Sequence, residues 1–171
     1  MESALIKVRP TADKDLDFVE LAERDTGNRS FIGQWTRDEH RTALDAGDML
    51  HLIIEDRDQR RVGYCIVTGL ENPHLQVCIK RIAFVDRNRG YGSELLRLVT
   101  AWLFRHTDTH RIWLDVRAHN LRAQHVYAKA GFRPEGLLRE CIRIGDSFES
   151  LIVMSLLRQE QLPEGEPGQT A

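Results

Sequence analysis

The chain has 171 residues and a mass of 19.7 kDa, the size of one ordinary domain. Apolar residues make up 42% and charged residues 29% of it, which argues against a disordered chain, and no apolar run is long enough for a membrane helix. The net charge of −2 argues against general nucleic-acid binding, and the N-terminus lacks the apolar centre of a signal peptide. We therefore expect a cytoplasmic protein that binds neither nucleic acid nor membrane.

The cysteines do not form a recognisable disulfide or zinc pattern. Cys65, Cys78 and Cys141 each lie in an apolar stretch, and no two of them form a C-x-x-C pair. We therefore expect all three to be reduced and buried, and we expect no metal site.

Hydrophobic periodicity in the first half of the chain predicts a strand, two helices and a β-hairpin, at residues 4–8, 11–25, 36–46, 49–55 and 62–68. Thr36 and Glu39 fit a capping box, in which each side chain bonds to the backbone N–H of the other residue. The loop 26–35 is unusually apolar for a connection, because it contains Phe31 and Trp35.

The second half predicts alternating strands and helices, at residues 75–85, 93–106, 111–116, 120–130, from 132 onward, and 147–156. Alternation in the first of these strands slips by one residue between Ile79 and Ile82, which indicates a β-bulge. Gly131 is predicted to end the last helix. This order predicts an α+β fold with a mixed, mostly antiparallel central sheet and helices on both faces. We expect one domain over 1–157 and a disordered tail over 158–171.

Residues 87–92, Arg-Asn-Arg-Gly-Tyr-Gly, join a strand directly to a helix. A helix N-terminus exposes unpaired N–H groups and the positive end of the helix dipole. Glycines allow the backbone to close around an anion, and Arg87 and Arg89 add positive charge. These features predict a cradle for a pyrophosphate group, although an ordinary glycine turn before a helix is the alternative.

Three phosphate-binding patterns compete for this segment. A P-loop needs a Lys after the last glycine, and none follows Gly92. A dinucleotide-binding fingerprint needs Gly or Ala where Leu95 stands, which disfavours a nucleotide enzyme of the Rossmann type. The third pattern, Arg-x-x-Gly-x-Gly, is matched by Arg87, Gly90 and Gly92. It resembles the pyrophosphate loop of the GCN5-related N-acetyltransferases, the GNAT superfamily.

A second segment supports this resemblance. The pattern Asn-x-x-Ala-x-x-x-Tyr-x-Lys-x-Gly-Phe is formed by Asn120, Ala123, Tyr127, Lys129, Gly131 and Phe132. It is similar to the second cofactor-binding segment of the superfamily, and the resemblance extends over residues 4–157. A narrower resemblance, to the RimJ/RimL-type branch, is carried by Glu135, Gly136, Arg139, Glu140 and Met154. Ser150 stands where that branch commonly has an Asp, which leaves the acceptor open.

The resemblance implies an acyl-CoA N-acyltransferase fold, with acetyl-CoA as the acetyl donor and no metal. It implies direct transfer, in a ternary complex, to a primary amine: a protein or peptide N-terminus, a polyamine or another small amine. A homodimer is compatible with such a fold. The alternative function is a non-catalytic acyl-CoA-binding module or sensor.

The resemblance also implies roles for individual residues. Tyr127 would protonate the leaving thiolate, where the alternative is a core tyrosine. Asn120 would bond to the cofactor, cap its helix, or both. Backbone N–H groups of the strand before the loop would bind the pantetheine arm and polarise the thioester carbonyl. The implied cofactor-binding residues are Ile82, Ala83, Phe84, Val85, Arg87, Asn88, Arg89, Gly90, Tyr91, Gly92, Ser93, Asn120, Tyr127 and Lys129.

The amine side of the reaction is less defined. The general base is open between Asp115, Glu140, Glu149 and water, since an α-amine loses its proton near neutral pH. In the implied fold the loop 26–35 overhangs the amine site. Its aromatic side chains would form a pocket wall or a dimer contact.

Overall fold

The structure is a computed structural model that describes residues 1–161. Its strands are β1 (Ile6–Pro10), β2 (Met49–Asp56), β3 (Arg61–Thr68), β4 (Gln76–Phe84), β5 (Arg111–Arg117), β6 (Arg133–Ile144) and β7 (Ser147–Leu157). Its helices are α1 (Leu16–Arg24), α2 (Arg37–Leu44), α3 (Tyr91–His106) and α4 (Leu121–Lys129). Short 3-10 turns occupy Asp13–Asp15 and Arg158–Glu160. The order of strands and helices is the predicted one, and the α+β class is confirmed.

All seven strands form one sheet in the order β1-β2-β3-β4-β5-β7-β6. Every neighbouring pair is antiparallel except β4 and β5, which run parallel. The predicted bulge is confirmed, because Ile66 pairs with Arg81 and Val67 with Ile79, so that Lys80 has no partner opposite. Because of the extra residue, Ile79 and Ile82 both face the larger core, which explains the slip in alternation.

The parallel pair β4 and β5 separates after a short contact. Within residues 1–161, the two strands pair only from Gln76 with Arg111 to Cys78 with Trp113. Beyond Cys78, β4 continues along β3, and β5 continues along β7. A gap therefore opens in the middle of the sheet, and its edges are strand backbone that lacks a neighbouring strand.

Helices cover both faces of the sheet, as predicted. Helix α3 supplies Leu95 and Leu103 to the larger core, and α4 packs on the same core through Val126. On the other face, α1 supplies Val19 to a smaller core that includes Tyr64 of β3. The gap between β4 and β5 lies between these two layers.

The predicted helix cap and helix stop are confirmed, and one predicted helix start is shifted by two residues. The Thr36 hydroxyl accepts the N–H of Glu39, whose carboxylate accepts the N–H of Thr36 at 2.6 Å. Gly131, just past α4, has a φ of 94°. Helix α3 begins at Tyr91, two residues before the predicted start, because Gly90 takes the N-cap position with a left-handed φ of 79°.

The expectation that all three cysteines are buried is wrong for one of them. The three thiols are free, and Cys65 and Cys78 are buried, but Cys141 is exposed. It lies on β6, which is the edge strand of the sheet and is exposed along almost its whole length. Apolar sequence on an edge strand does not ensure burial.

The predicted tail begins with ordered structure. Arg158–Glu160 form a 3-10 turn, and the Arg158 Nε donates to the carbonyl oxygen of Thr109 at 2.9 Å. Disorder is therefore wrong for these residues, because the guanidinium fastens them to the end of α3 and the following loop. Residues 162–171 of the predicted tail lie outside the described part of the chain.

Candidate active site

A cleft of about 880 Å³ opens at the gap between β4 and β5. Its walls come from the N-terminal ends of α3 and α4, the loop between α1 and α2, and the separated strands. It brings together most of the predicted site residues, namely Ile82, Phe84, Arg87, Asn88, Arg89, Gly90, Tyr91, Gly92, Ser93, Asn120 and Tyr127. Three predicted residues, Ala83, Val85 and Lys129, do not line it.

Residues 88–93, here called the cradle, present backbone donors to the cleft. Tyr91, Gly92 and Ser93 form the first turn of α3, where N–H groups have no intrahelical acceptor. Within residues 1–161, no side chain caps this helix end. Asn88 and Gly90 both have positive φ, which turns the backbone sharply around the site. Unpaired N–H groups at the positive end of a 16-residue helix suit a pyrophosphate.

Arg87, just before the cradle, and Arg89, within it, differ in their availability. The Arg87 guanidinium pairs with Asp25, at the end of α1, and this pairing holds the pKa of the Asp25 carboxyl below its usual range. Arg87 therefore ties the cradle to the α1–α2 loop. Arg89 is exposed, and among residues 1–161 it has only a long ion pair with Asp86, at 3.5 Å. Its charge is the one that remains free to approach a phosphate.

The edge of β4 offers alternate, not successive, N–H groups to the gap. The Val85 N–H donates to β3 at 3.0 Å, and alternation along an antiparallel pair directs the N–H of Ala83 the same way. The N–H groups of Ile82 and Phe84 therefore face the gap. The Phe84 carbonyl oxygen agrees with this, since it accepts from Asn28 at 3.1 Å. The expectation that residues 82–85 all offer a free N–H group to the cofactor is wrong for Ala83 and Val85, because their N–H groups point to β3.

Tyr127 lies on α4, packs partly against the larger core and lines the cleft. Burial raises the pKa of its phenol above the usual range, and the nearby Cys65 and Asp115 raise it further. No residue in the described part of the chain hydrogen-bonds to the Tyr127 hydroxyl. The hydroxyl is thus a protonated donor with no partner among residues 1–161.

The other two predicted residues of this segment have different outcomes. Asn120 caps α4, with its Oδ1 accepting the N–H of Ala123 at 3.1 Å. The capping prediction is confirmed, and the amide nitrogen of Asn120 remains as a donor at the cleft. Lys129, in the last turn of α4, is exposed and lies outside the cleft lining. Its predicted contact with a cofactor has no support in the geometry.

The three carboxylates considered as a general base are separated by the structure. Asp115 alone among them lines the cleft, on the face of β5 opposite the buried Leu114. Glu140 is exposed on β6 and does not line it. Glu149 does not line it either, and its Oε2 lies 3.3 Å from Nη1 of Arg117.

The α1–α2 loop and the strand faces on its side form one wall of the cleft, here called the loop wall. It consists of Arg29, Phe31, Ile32, Trp35, Arg81, Asp115 and Arg117. Phe31 and Trp35 thus form a pocket wall, one of the two roles expected for them. The ring of Phe31 lies 5.6 Å from that of His119, so the loop reaches the start of α4.

A buried polar cluster that sequence analysis missed supports the loop wall. The Glu23 carboxylate accepts from the Tyr64 hydroxyl at 2.7 Å, from Arg81 at 2.5 Å and from the Trp35 N–H at 3.0 Å. His40 Nε2 lies 3.2 Å from the same carboxylate. The Arg81 guanidinium sits 4.6 Å from the centre of the Trp35 ring. Burial alone would raise the pKa of Glu23, but these hydrogen bonds and the Arg81 charge lower it.

A sheet split in the middle, an anion cradle at the split and a half-buried tyrosine beside it define an acyl-CoA-dependent N-acyltransferase. The chain matches the family described as "Acetyltransferase (GNAT) domain" over residues 6–133, and it belongs to this family. The predicted superfamily is therefore confirmed, and so is the predicted class of activity, an N-acetyltransferase.

Relatives of known name span nearly the whole chain. Spermidine N(1)-acetyltransferase of Escherichia coli (strain K12) is 23% identical over 176 residues, covering 96% of this chain and 93% of that protein. A putative ribosomal protein bS18-alanine N-acetyltransferase of Bacillus subtilis (strain 168) is 29% identical over 149 residues, covering 86% and 92%. The RimJ/RimL-type branch stays a prediction.

Solved structures confirm the fold. Spermidine N-acetyltransferase from Vibrio cholerae, solved in complex with CoA and spermine, superposes with a TM-score of 0.83 at 19% identity. The match covers 92% of this chain and 98% of that one. Among residues 1–161 of our chain, no helix is long and apolar enough to span a membrane. No group of three or more His, Cys, Asp or Glu side chains in that range is arranged to hold a metal ion.

Proposed function

We propose that residues 1–157 act as one domain that transfers an acetyl group from acetyl-CoA directly to an amine held at the loop wall. The observation that carries this proposal is the gap between β4 and β5, which joins the cradle to the loop wall. Acetyl-CoA supplies an activated thioester. The chain's own residues supply binding, orientation and the two proton transfers.

The cradle is the site for the pyrophosphate. The N–H groups of Tyr91, Gly92 and Ser93 donate to its oxygens, and the α3 dipole favours the negative charge. Arg89 adds a mobile positive charge, and the amide nitrogen of Asn120 donates to the amide-containing arm of the donor. The fit is supported by the absence of a side-chain cap on α3 within residues 1–161, since a cap would occupy the same N–H groups.

The open edge of β4 aligns and polarises the thioester. The N–H groups of Ile82 and Phe84 face the gap on the same side of the strand, two residues apart. One binds the extended arm and the other donates to the carbonyl oxygen as negative charge develops there. A preorganised donor of this kind contributes about 10²–10³ in rate.

Two side chains handle the protons. Before the new C–N bond forms, the ammonium form of the acceptor gives a proton to a carboxylate oxygen of Asp115, directly or through water. The proton that nitrogen then loses as the amide forms replaces the one that Tyr127 gives to the sulfur. As the C–S bond breaks, the Tyr127 hydroxyl donates its proton to the departing thiolate sulfur. The burial that raises the pKa of Tyr127 keeps this donor protonated at neutral and moderately alkaline pH.

Ligand-dependent thermal unfolding tests donor binding. Acetyl-CoA at about 100 times its Kd should add about 2.7 kcal/mol of stability, a rise in Tm of about 5–10 °C at this chain length. NADH and ATP should give no such rise. The Gly90→Val variant should lose the rise, because a β-branched residue is strained at a φ of 79°. Gly136→Ala is the matched control, since a Cβ there meets nothing within 4 Å. No rise with acetyl-CoA at millimolar concentration would refute the proposal.

A second prediction concerns Asp115. Asp115→Asn should lower kcat/KM about 10²-fold near neutral pH, because general-base catalysis is worth at least that much. The loss should shrink as pH rises through the amine's own pKa, since above it the amine is already free and needs no deprotonation before it attacks. Initial rates of CoA release from pH 6 to pH 10 measure this. Glu140→Gln, outside the cleft, is the control. An equal loss at every pH would instead assign Asp115 to acceptor binding.

A further inference from the structure

Among the residues that form the loop wall, guanidinium groups outnumber carboxylates. Arg29, Arg81 and Arg117 line it, and Asp115 is the carboxylate among its members. The carboxylates that pair with Arg81 and Arg117 do not line the cleft, and both arginines are buried in its wall, at 6% and 7% exposure. A polycationic acceptor would meet like charge on this wall, whereas an anionic group would meet opposite charge.

The Arg117 guanidinium has N–H donors that lack a hydrogen-bond partner within residues 1–161. It is only 7% exposed, yet its Nε and Nη1 have no hydrogen-bond partner in the described part of the chain. Its single ion pair, to Glu149 Oε2 at 3.3 Å, does not form a hydrogen bond. Arg81, by contrast, donates to Glu23 at 2.5 Å. A guanidinium has five N–H donors in a fork that matches a carboxylate, and buried donors are seldom left unpaired.

The position of Arg117 beside Asp115 adds a second, independent constraint. The two residues are two apart on β5, so both lie on the same strand face, with Cα atoms about 6.7 Å apart. They present a negative and a positive group side by side at the gap. A small molecule with an amine and a carboxylate a few bonds apart matches this pair in sign and in scale.

We propose that the acceptor is an anionic amine, whose amine faces Asp115 while its carboxylate binds Arg117. This inference rests on the proposed acetyl transfer and names its acceptor class. The apolar side chains of Phe31, Trp35 and Ile142 line the same cleft and favour an apolar body. The acceptor class is therefore that of apolar α-amino acids and similarly short amino carboxylates. It differs from the spermidine named for several relatives.

Matched acceptors test the inference on the unaltered enzyme. The panel is L-phenylalanine, L-leucine, their carboxamides, phenethylamine and spermidine, with CoA release measured above the pKa of each α-amine. Each amino acid should exceed its carboxamide in kcat/KM by about 10- to 100-fold, the range for hydrogen bonds to a charged group. A preference for spermidine or for the carboxamides, or no turnover of either amino acid, would overturn the inference.

Variants then assign the preference to Arg117. Arg117→Gln should raise KM for the amino acids about 10- to 100-fold, with kcat and the carboxamide rates little changed. The double variant Arg117→Gln with Glu149→Gln removes both partners, so it avoids an unpaired buried carboxylate if the single variant folds poorly. Arg133→Gln, on an exposed ion pair with Glu160, is the matched control. Equal losses for amino acids and carboxamides would show that Arg117 does not bind the acceptor.

This design separates two kinds of failure. If acetyl-CoA raises Tm and spermidine or a neutral amine is acetylated in preference to the amino acids, the acetyl transfer stands and the anionic acceptor is refuted. If acetyl-CoA gives no rise in Tm and no amine releases CoA, the proposed function itself has failed.

Discussion

Replacing Tyr127 with phenylalanine should lower kcat by about 10²–10³, because general-acid catalysis typically contributes 10²–10⁴. Only the hydroxyl is removed, and no residue of the described chain hydrogen-bonds to it, so the packing of α4 on the core should persist. The variant should therefore keep nearly all of the Tm rise that acetyl-CoA produces. The measurement is kcat from CoA release, alongside unfolding with and without acetyl-CoA.

The pH dependence of the unaltered enzyme gives a second view of the same residue. A phenol donates only below its pKa, and burial places the pKa of Tyr127 above the usual value near 10. The rate should consequently show no loss of a general acid between pH 7 and pH 10. If the phenylalanine variant retains full kcat, another group protonates the thiolate. A wild-type chain that binds acetyl-CoA but acetylates no amine would instead support the acyl-CoA sensor.

The parts of the site that were predictable are those whose chemistry is local. The cradle depends on glycines and a helix start within residues 87–93, so the local sequence is sufficient to predict it. The bulge at Lys80 is likewise visible as a slip in alternation along one strand. The N-cap role of Asn120 needs only the next three residues. Each of these features depends on neighbours in sequence.

The parts that were not predictable depend on pairing across long stretches of sequence. Which N–H groups of β4 are free is decided by β3, whose register leaves Ile82 and Phe84 facing the gap. Arg81 and its partner Glu23 are 58 residues apart. A sequence reading shows only a charged residue inside an apolar strand and a carboxylate one turn after Val19 on the buried face of α1. These two charged residues at otherwise apolar positions were the available signal. That they pair with each other becomes evident only from the assembled sheet.

Replacing Glu23 should cost a large part of the stability of the fold. Glu23→Gln keeps the shape of the side chain but leaves the buried Arg81 without its counter-charge. Breaking a buried ion pair in this way typically costs about 3–5 kcal/mol, which is a fall in Tm of about 6–20 °C at this chain length. The loop wall should loosen as well, because Glu23 also holds the Trp35 N–H.

The pH dependence of that loss has a definite sign. The folded state lowers the pKa of Glu23, so its contribution is present above the unfolded pKa near 4.3 and is lost as pH falls through the lower folded value. The difference in Tm between wild type and Glu23→Gln should therefore narrow at strongly acidic pH. Burial also lowers the pKa of the neighbouring His51 to about 4, so both proteins should lose stability as pH falls from 6.5 toward 4.

The control for Glu23 is a carboxylate on the same helix. Asp17 is 83% exposed and pairs with Arg37 at 2.5 Å, and exposed ion pairs contribute at most about 1 kcal/mol. Thermal unfolding of Asp17→Asn should accordingly show a fall in Tm of no more than about 4 °C. If Glu23→Gln fell by no more than this, the buried cluster would not hold Arg81 and Trp35 in place. The geometry of the loop wall would then have to arise from the packing of Phe31 and Ile32 alone.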